Sequence, residues 1–167
     1  MTASSARFPQ IVIYAHWMTL LCVLVAYFSS QGHIEDGWLG QTHVISGGLV
    51  FILFFVRIVL YMHFKDQFPK VDYLSSLQER AFTLMKLALY TGLFAVPLLG
   101  WVTLVSEKDS FSLLGNDLPQ ALFMPKLDIG EIHPIVANIF MTLIGLHALA
   151  ALIHHFILKD GVLKSMK

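Results

Sequence analysis

The chain has 167 residues, 56% of them hydrophobic and 13% charged, and its 11 basic and 11 acidic side chains balance to a formal charge of zero. Soluble domains carry roughly a quarter charged residues, so lipid is the expected solvent, and a neutral chain gives no ground for a nucleic-acid partner. The single cysteine, Cys22, excludes disulfide frameworks, thiolate zinc sites, cysteine-ligated iron–sulfur clusters and C-x-x-C-H haem attachment.

A bilayer core about 30 Å thick takes roughly 20 helical residues to cross. The first segment that qualifies runs from about Pro9 to Ser30. It is too long for the apolar core of a secretory signal and carries His16 and Trp17 near its start, so it reads as a retained membrane helix. The second runs from about Gln41 to His63, the third from Arg80 to Val105, and the fourth from Glu131 to Leu158. The fold class is therefore all-α, an integral membrane four-helix bundle. With no internal repeat or linker, residues 1–167 are expected to form a single domain. Gly92, Pro97 and Gly100 in the third helix predict a kink or a close helix approach.

The first loop holds Glu35 and Asp36 but neither lysine nor arginine. The second holds Lys65 and Lys70 and is bounded by Arg80, and the segments on its side of the membrane add Arg7, Lys159, Lys164 and Lys167. The positive-inside rule therefore puts both termini and the second loop in the cytoplasm. The third loop, about residues 106–130, carries Lys108 and Lys126 in a mixed apolar sequence that is expected to fold back as a cap on the outer surface.

The chain has eight histidines, a high count for so apolar a sequence, and histidines inside a span are costly and usually functional. His16 lies roughly 10 Å into the first helix from the cytoplasm. His43 and His133 lie at the outer ends of the second and fourth helices. His147 follows His133 by fourteen residues, about 21 Å deeper and on the same face. The depths match in pairs, His43 with His133 outside and His16 with His147 inside. Two facing imidazoles at each of two levels are what two bis-histidine haem groups need, and filled axial positions disfavour oxygen binding and favour electron transfer. Gly47, Gly48, Ala137, Gly145, Ala148 and Ala151 would leave room for flat macrocycles, although small residues also line ordinary helix contacts. His154 falls at the cytoplasmic surface, too shallow to face His16. His33, His63, His154 and His155 are read as interfacial. Arg57 and Lys86 lie within the second and third helices; each either snorkels to the interface or neutralises haem propionates.

These residues resemble the bacterial cytochrome b561 family. The matching runs are I-x-x-H-W (Ile13–Trp17), H-V-x-x-G (His43–Gly47), A-V-P-L-L-G (Ala95–Gly100) and G-L-H-A-x-A-A-L-x-H-H-F-x-x-K-D (Gly145–Asp160). The resemblance implies two non-covalent haem b groups with iron ligated by His16, His43, His133 and His147. It also implies a multi-pass protein of the bacterial inner membrane that moves electrons to or from a ubiquinone-type quinone. The outer donor implied is superoxide or another periplasmic reductant, as in a superoxide:quinone oxidoreductase, and no side chain is expected to act as a catalytic acid, base or nucleophile. One departure is the stretch Arg80–Lys86, which lacks the A-H-x-x-H run often found there in the family. Two rivals remain: a haem-b membrane anchor for a dehydrogenase or hydrogenase, and a haem-free histidine-lined metal or proton transporter. The oligomeric state is open, a homodimer among the options.

Overall fold

The computed structural model describes residues 7–30, 37–69, 75–107, 111–117, 132–159 and 162–166. Helices α1 (Gln10–Ser29), α2 (Trp38–Phe64), α3 (Ser76–Glu107) and α4 (Ile132–Ile153) are each long and apolar enough to cross a bilayer. The architecture is the expected all-α membrane bundle. Its exposed side chains are largely apolar, among them Tyr14, Leu21, Ile52, Phe55, Leu84 and Leu149, as suits a surface facing lipid.

Two helices start earlier than their apolar runs suggest. α2 begins at Trp38, directly after Gly37 turns the chain at φ 61°, a left-handed value that glycine adopts without strain. α3 begins at Ser76 because Ser75 and Gln78 form a reciprocal cap. The Ser75 N–H donates to Gln78 Oε1 at 2.9 Å, and the Gln78 N–H donates to Ser75 Oγ at 3.4 Å. At its far end α4 continues into one π-helical turn, His154–Leu158, which closes at Lys159 in the left-handed conformation. The wider turn breaks the 3.6-residue register where His154 and His155 lie.

The helices do not pack evenly. α1 lies along α2, α3 along α4 and α2 against α3, whereas no backbone packing of similar extent joins α4 to α1 or to α2. A seam therefore separates α4 from the α1–α2 pair. Among the described residues no large side chain is fully buried, and the core is a small cluster of Cys22, Val23, Val50, Leu93 and Phe140.

That cluster is the middle of three layers spaced by sevens. Seven residues return a helix to within about 20° of the same face and advance it by about 10 Å. Along α1 the column is His16 and Val23; along α2 it is His43, Val50 and Arg57. Along α3 it is Lys86, Leu93 and Gly100, and along α4 His133, Phe140 and His147. Apolar side chains thus fill the centre, and the polar ones fall at two levels on either side of it.

Each end of the bundle is tied down. At one end the turn Val162–Met166 returns to α1: the Phe8 N–H donates to the Ser165 carbonyl and Trp17 Nε1 to the Met166 carbonyl, both at 3.1 Å. Both ends of the described chain therefore meet on one side. At the other end a two-residue hairpin, β1 (Ser112–Leu113) and β2 (Asn116–Asp117), turns through Leu114 and Gly115 at positive φ. Gln41 grips it with both amide groups. Nε2 donates to the Ser112 carbonyl at 2.6 Å, and the Leu114 N–H donates to Oε1 at 3.1 Å. This first part of the third loop folds back onto α2; residues 118–131, and with them Lys126, lie outside the described residues, as do Lys108 and His33.

Gly92 sets the closest approach of α3 to α4, because a Cβ there would overlap the Phe140 ring. Gly92→Leu is therefore expected to destabilise the bundle by about 1–3 kcal/mol. Thermal unfolding in detergent should show a lowered midpoint, partly recovered when Phe140→Ala is added. An unchanged midpoint contradicts the packing described.

Candidate functional site

Four histidines meet across the seam in two pairs. The rings of His43 (α2) and His133 (α4) have centroids 6.1 Å apart and planes crossed at 76°. Those of His16 (α1) and His147 (α4) are 6.4 Å apart and crossed at 68°. The separation is informative. With a metal–nitrogen bond of about 2 Å and a ring nitrogen about 1.1 Å from its own centre, two imidazoles on opposite sides of one metal have centroids about 6.2 Å apart.

The donor set narrows the choice of ligand. Among the described residues no group of three or more His, Cys, Asp or Glu side chains is placed to hold a metal ion. Two imidazoles fill only two coordination positions, so a metal held here would need its remaining ligands from elsewhere, as a tetrapyrrole could provide. Space beside His43 is compatible with a macrocycle, since a Cβ added at Gly47, four residues beyond it on the same face, would meet nothing within 4 Å.

The pair at the hairpin end is set up by its surroundings. His43 Nδ1 lies 2.8 Å from the Ala26 carbonyl oxygen, which can only accept, so Nδ1 carries the proton and Nε2 keeps its lone pair. His133 Nδ1 is buried and makes no hydrogen bond of good geometry, although the Val96 backbone stands beside the ring, which lies against Gly100 so closely that a Cβ there would press on it. Tyr27 Oη donates to Asn138 Oδ1 at 3.4 Å and ties α1 to α4 near this level.

The pair at the terminal end has a different neighbour. Arg57 Nη1 lies 3.3 Å from His16 Nδ1, its guanidinium stands 5.4 Å from the Tyr90 ring centre, and its Nε is buried without a partner. It points into the bundle rather than out to the interface. Lys86 does the reverse. It is exposed, with Nζ 5.6 Å from the Tyr61 ring centre, and none of its described contacts reaches the histidines. The two cations share one layer by register but take opposite directions.

Several functional contacts left no signal in the sequence. Gln41 grips a hairpin seventy-one residues away, and Trp17 bonds a carbonyl near the other end of the chain. Gly100 was readable as a close-approach glycine, but its partner, the His133 ring, was not.

Helices fit to span a bilayer, with imidazoles paired across a seam at metal-ligand spacing, are what a membrane cytochrome b would need. The chain belongs to the prokaryotic cytochrome b561 family, whose pattern it matches over residues 7–167. It is 33% identical to cytochrome b561 homolog 1 of Escherichia coli (strain K12), over 96% of each chain. It is also 28% identical to a Yersinia pestis protein named probable superoxide oxidase CybB, over 96% of this chain and 95% of that one. Membership makes it a multi-pass, haem-b-binding oxidoreductase of electron transport in a prokaryotic membrane.

Because Gly100 seats the His133 ring, Gly100→Leu is expected to displace that imidazole. The haem b content per chain, measured by pyridine haemochrome, should fall well below that of the unmodified protein. Full content in a folded variant contradicts this placement.

Proposed function

We propose that this single-domain chain holds two haem b groups and carries electrons across the bacterial inner membrane. His43 with His133 would hold one group near the periplasm, and His16 with His147 the other near the cytoplasm. Electrons enter on the periplasmic side from superoxide or another reductant and leave to a ubiquinone-type quinone in the membrane. The observation that carries this reading is the pair of imidazole separations, 6.1 and 6.4 Å, both at the spacing of two ligands on one metal. The donor side is supported by the name of the Yersinia relative, and the orientation by the basic residues Arg7, Lys65, Arg80 and Lys159 at the terminal end.

Haem b held by these histidines would supply one-electron redox chemistry at iron. The chain's own residues set the conditions around it. His43 is held in the ligating tautomer by Ala26, and the layer of Val23, Val50, Leu93 and Phe140 keeps the space between the two levels apolar. The fourteen residues between His133 and His147 fix the levels about 21 Å apart along α4, with ring edges closer than that. Arg57 is the cation on hand to hold negative charge at the cytoplasmic level; the exposed Lys86 is read as interfacial.

Purified protein is expected to contain two haem b groups per chain and to show a sharp reduced band in the visible. His147→Ala should retain about one, and reconstituted vesicles should reduce quinone when superoxide is supplied outside. One group per chain, or equal loss of both in folded His147→Ala, contradicts the paired arrangement. Quinone reduction that requires an added soluble dehydrogenase contradicts the proposed donor.

A further inference from the structure

The two ligand pairs differ in what stands behind the ring. His43 Nδ1 faces a carbonyl oxygen, the negative end of a peptide dipole, at 2.8 Å. His16 Nδ1 faces a guanidinium at 3.3 Å. Arginine stays charged at any working pH and has only donors, so the contact puts a fixed positive charge beside the ring. Among the described residues no carboxylate pairs with Arg57; its guanidinium also stands over the Tyr90 ring and is near enough to His147 to act on it electrostatically. Its counterpart in the same layer, Lys86, is exposed on Tyr61, and the layer of His43, Gly100 and His133 contains no cation.

A carbonyl accepting from a ligand's N–H makes that ligand more electron-donating and favours the oxidised metal. A fixed cation in a low-dielectric setting favours whichever state carries one more electron. The opposing signs lie about 21 Å apart, one at each level. We infer that Arg57 is a positioning and charge-setting residue for His16, which makes the His16/His147 site the more easily reduced of the two and biases electrons toward the cytoplasmic level. This inference rests on the two-haem reading above.

Neutral ligation through His16 Nε2 would put the ring proton on Nδ1, so that ring and guanidinium both present donors and the contact is one of charge alone. The bias is assigned to that neutral ring; a ring that lost the proton would be an imidazolate, which itself favours the oxidised metal and opposes the cation.

The test is a spectroscopic potentiometric measurement on the full-length protein in detergent, with Arg57→Met and Arg57→Lys beside the unmodified chain. Two components are expected in the unmodified protein, and His147→Ala should remove the higher one. In Arg57→Met the higher component should shift down, its reduced-to-oxidised ratio at fixed poise falling by about tenfold or more, while the lower one stays. Arg57→Lys should recover most of the shift. Should Arg57→Met lose the inner group, Arg57→Lys decides alone: a retained high component supports the inference, and one fallen to the level of the lower component overturns it. Unchanged potentials in both variants overturn it as well, and with reduced haem content they assign Arg57 to cofactor retention instead. Fewer than two haem groups in the unmodified protein overturns the parent reading, a result distinct from any of these.

Discussion

An imidazole inside a membrane must find a partner, because lipid offers its nitrogens nothing. Four such rings, brought together across one seam as two crossed pairs, constrain most of what surrounds them. α4 supplies one member of each pair, α1 and α2 supply the others, and α4 lacks extensive backbone packing against either. Such a seam is what a ligand held between the helices, rather than side chains alone, would require.

The seven-residue layering explains how so short a chain separates its polar levels. Val23, Val50, Leu93 and Phe140 come from four different helices and meet at one height, with a ligand or cation seven residues away in most columns. Gly92 lets α3 approach the Phe140 ring, and Gly100 lets it approach His133, so α3 serves mainly as a close-fitting backing for α4. Its own column contributes no histidine. The two levels are nonetheless unlike each other, with a carbonyl behind one ligand and a guanidinium behind another. Two similar imidazole pairs thereby have opposite electrostatic surroundings.

The spans and the histidine partners were legible in the sequence because each follows from a period: hydropathy for the spans, rise and rotation per residue for the depths. Helix starts were less so. Apolar counting started α2 at Gln41 and α3 at Arg80, while Gly37 and the Ser75–Gln78 cap let the helices begin earlier, among more polar residues. The cap is a local motif that was readable and was masked by the stronger apolar signal. The fates of Arg57 and Lys86 were not readable, because both occupy the same layer and only the neighbouring helices decide which turns inward. Long-range contacts such as Gln41 with the hairpin or Trp17 with Met166 depend on chain return, which no local period encodes.

The claim on which all of this depends is that each histidine pair embraces one iron with its rings crossed. Low-temperature electron paramagnetic resonance of the oxidised, purified protein tests it most directly. Ring planes at 76° and 68° predict two strongly anisotropic low-spin ferric signals, one for each pair. A high-spin signal of comparable intensity, or rhombic low-spin signals of the kind parallel imidazoles give, would contradict the account.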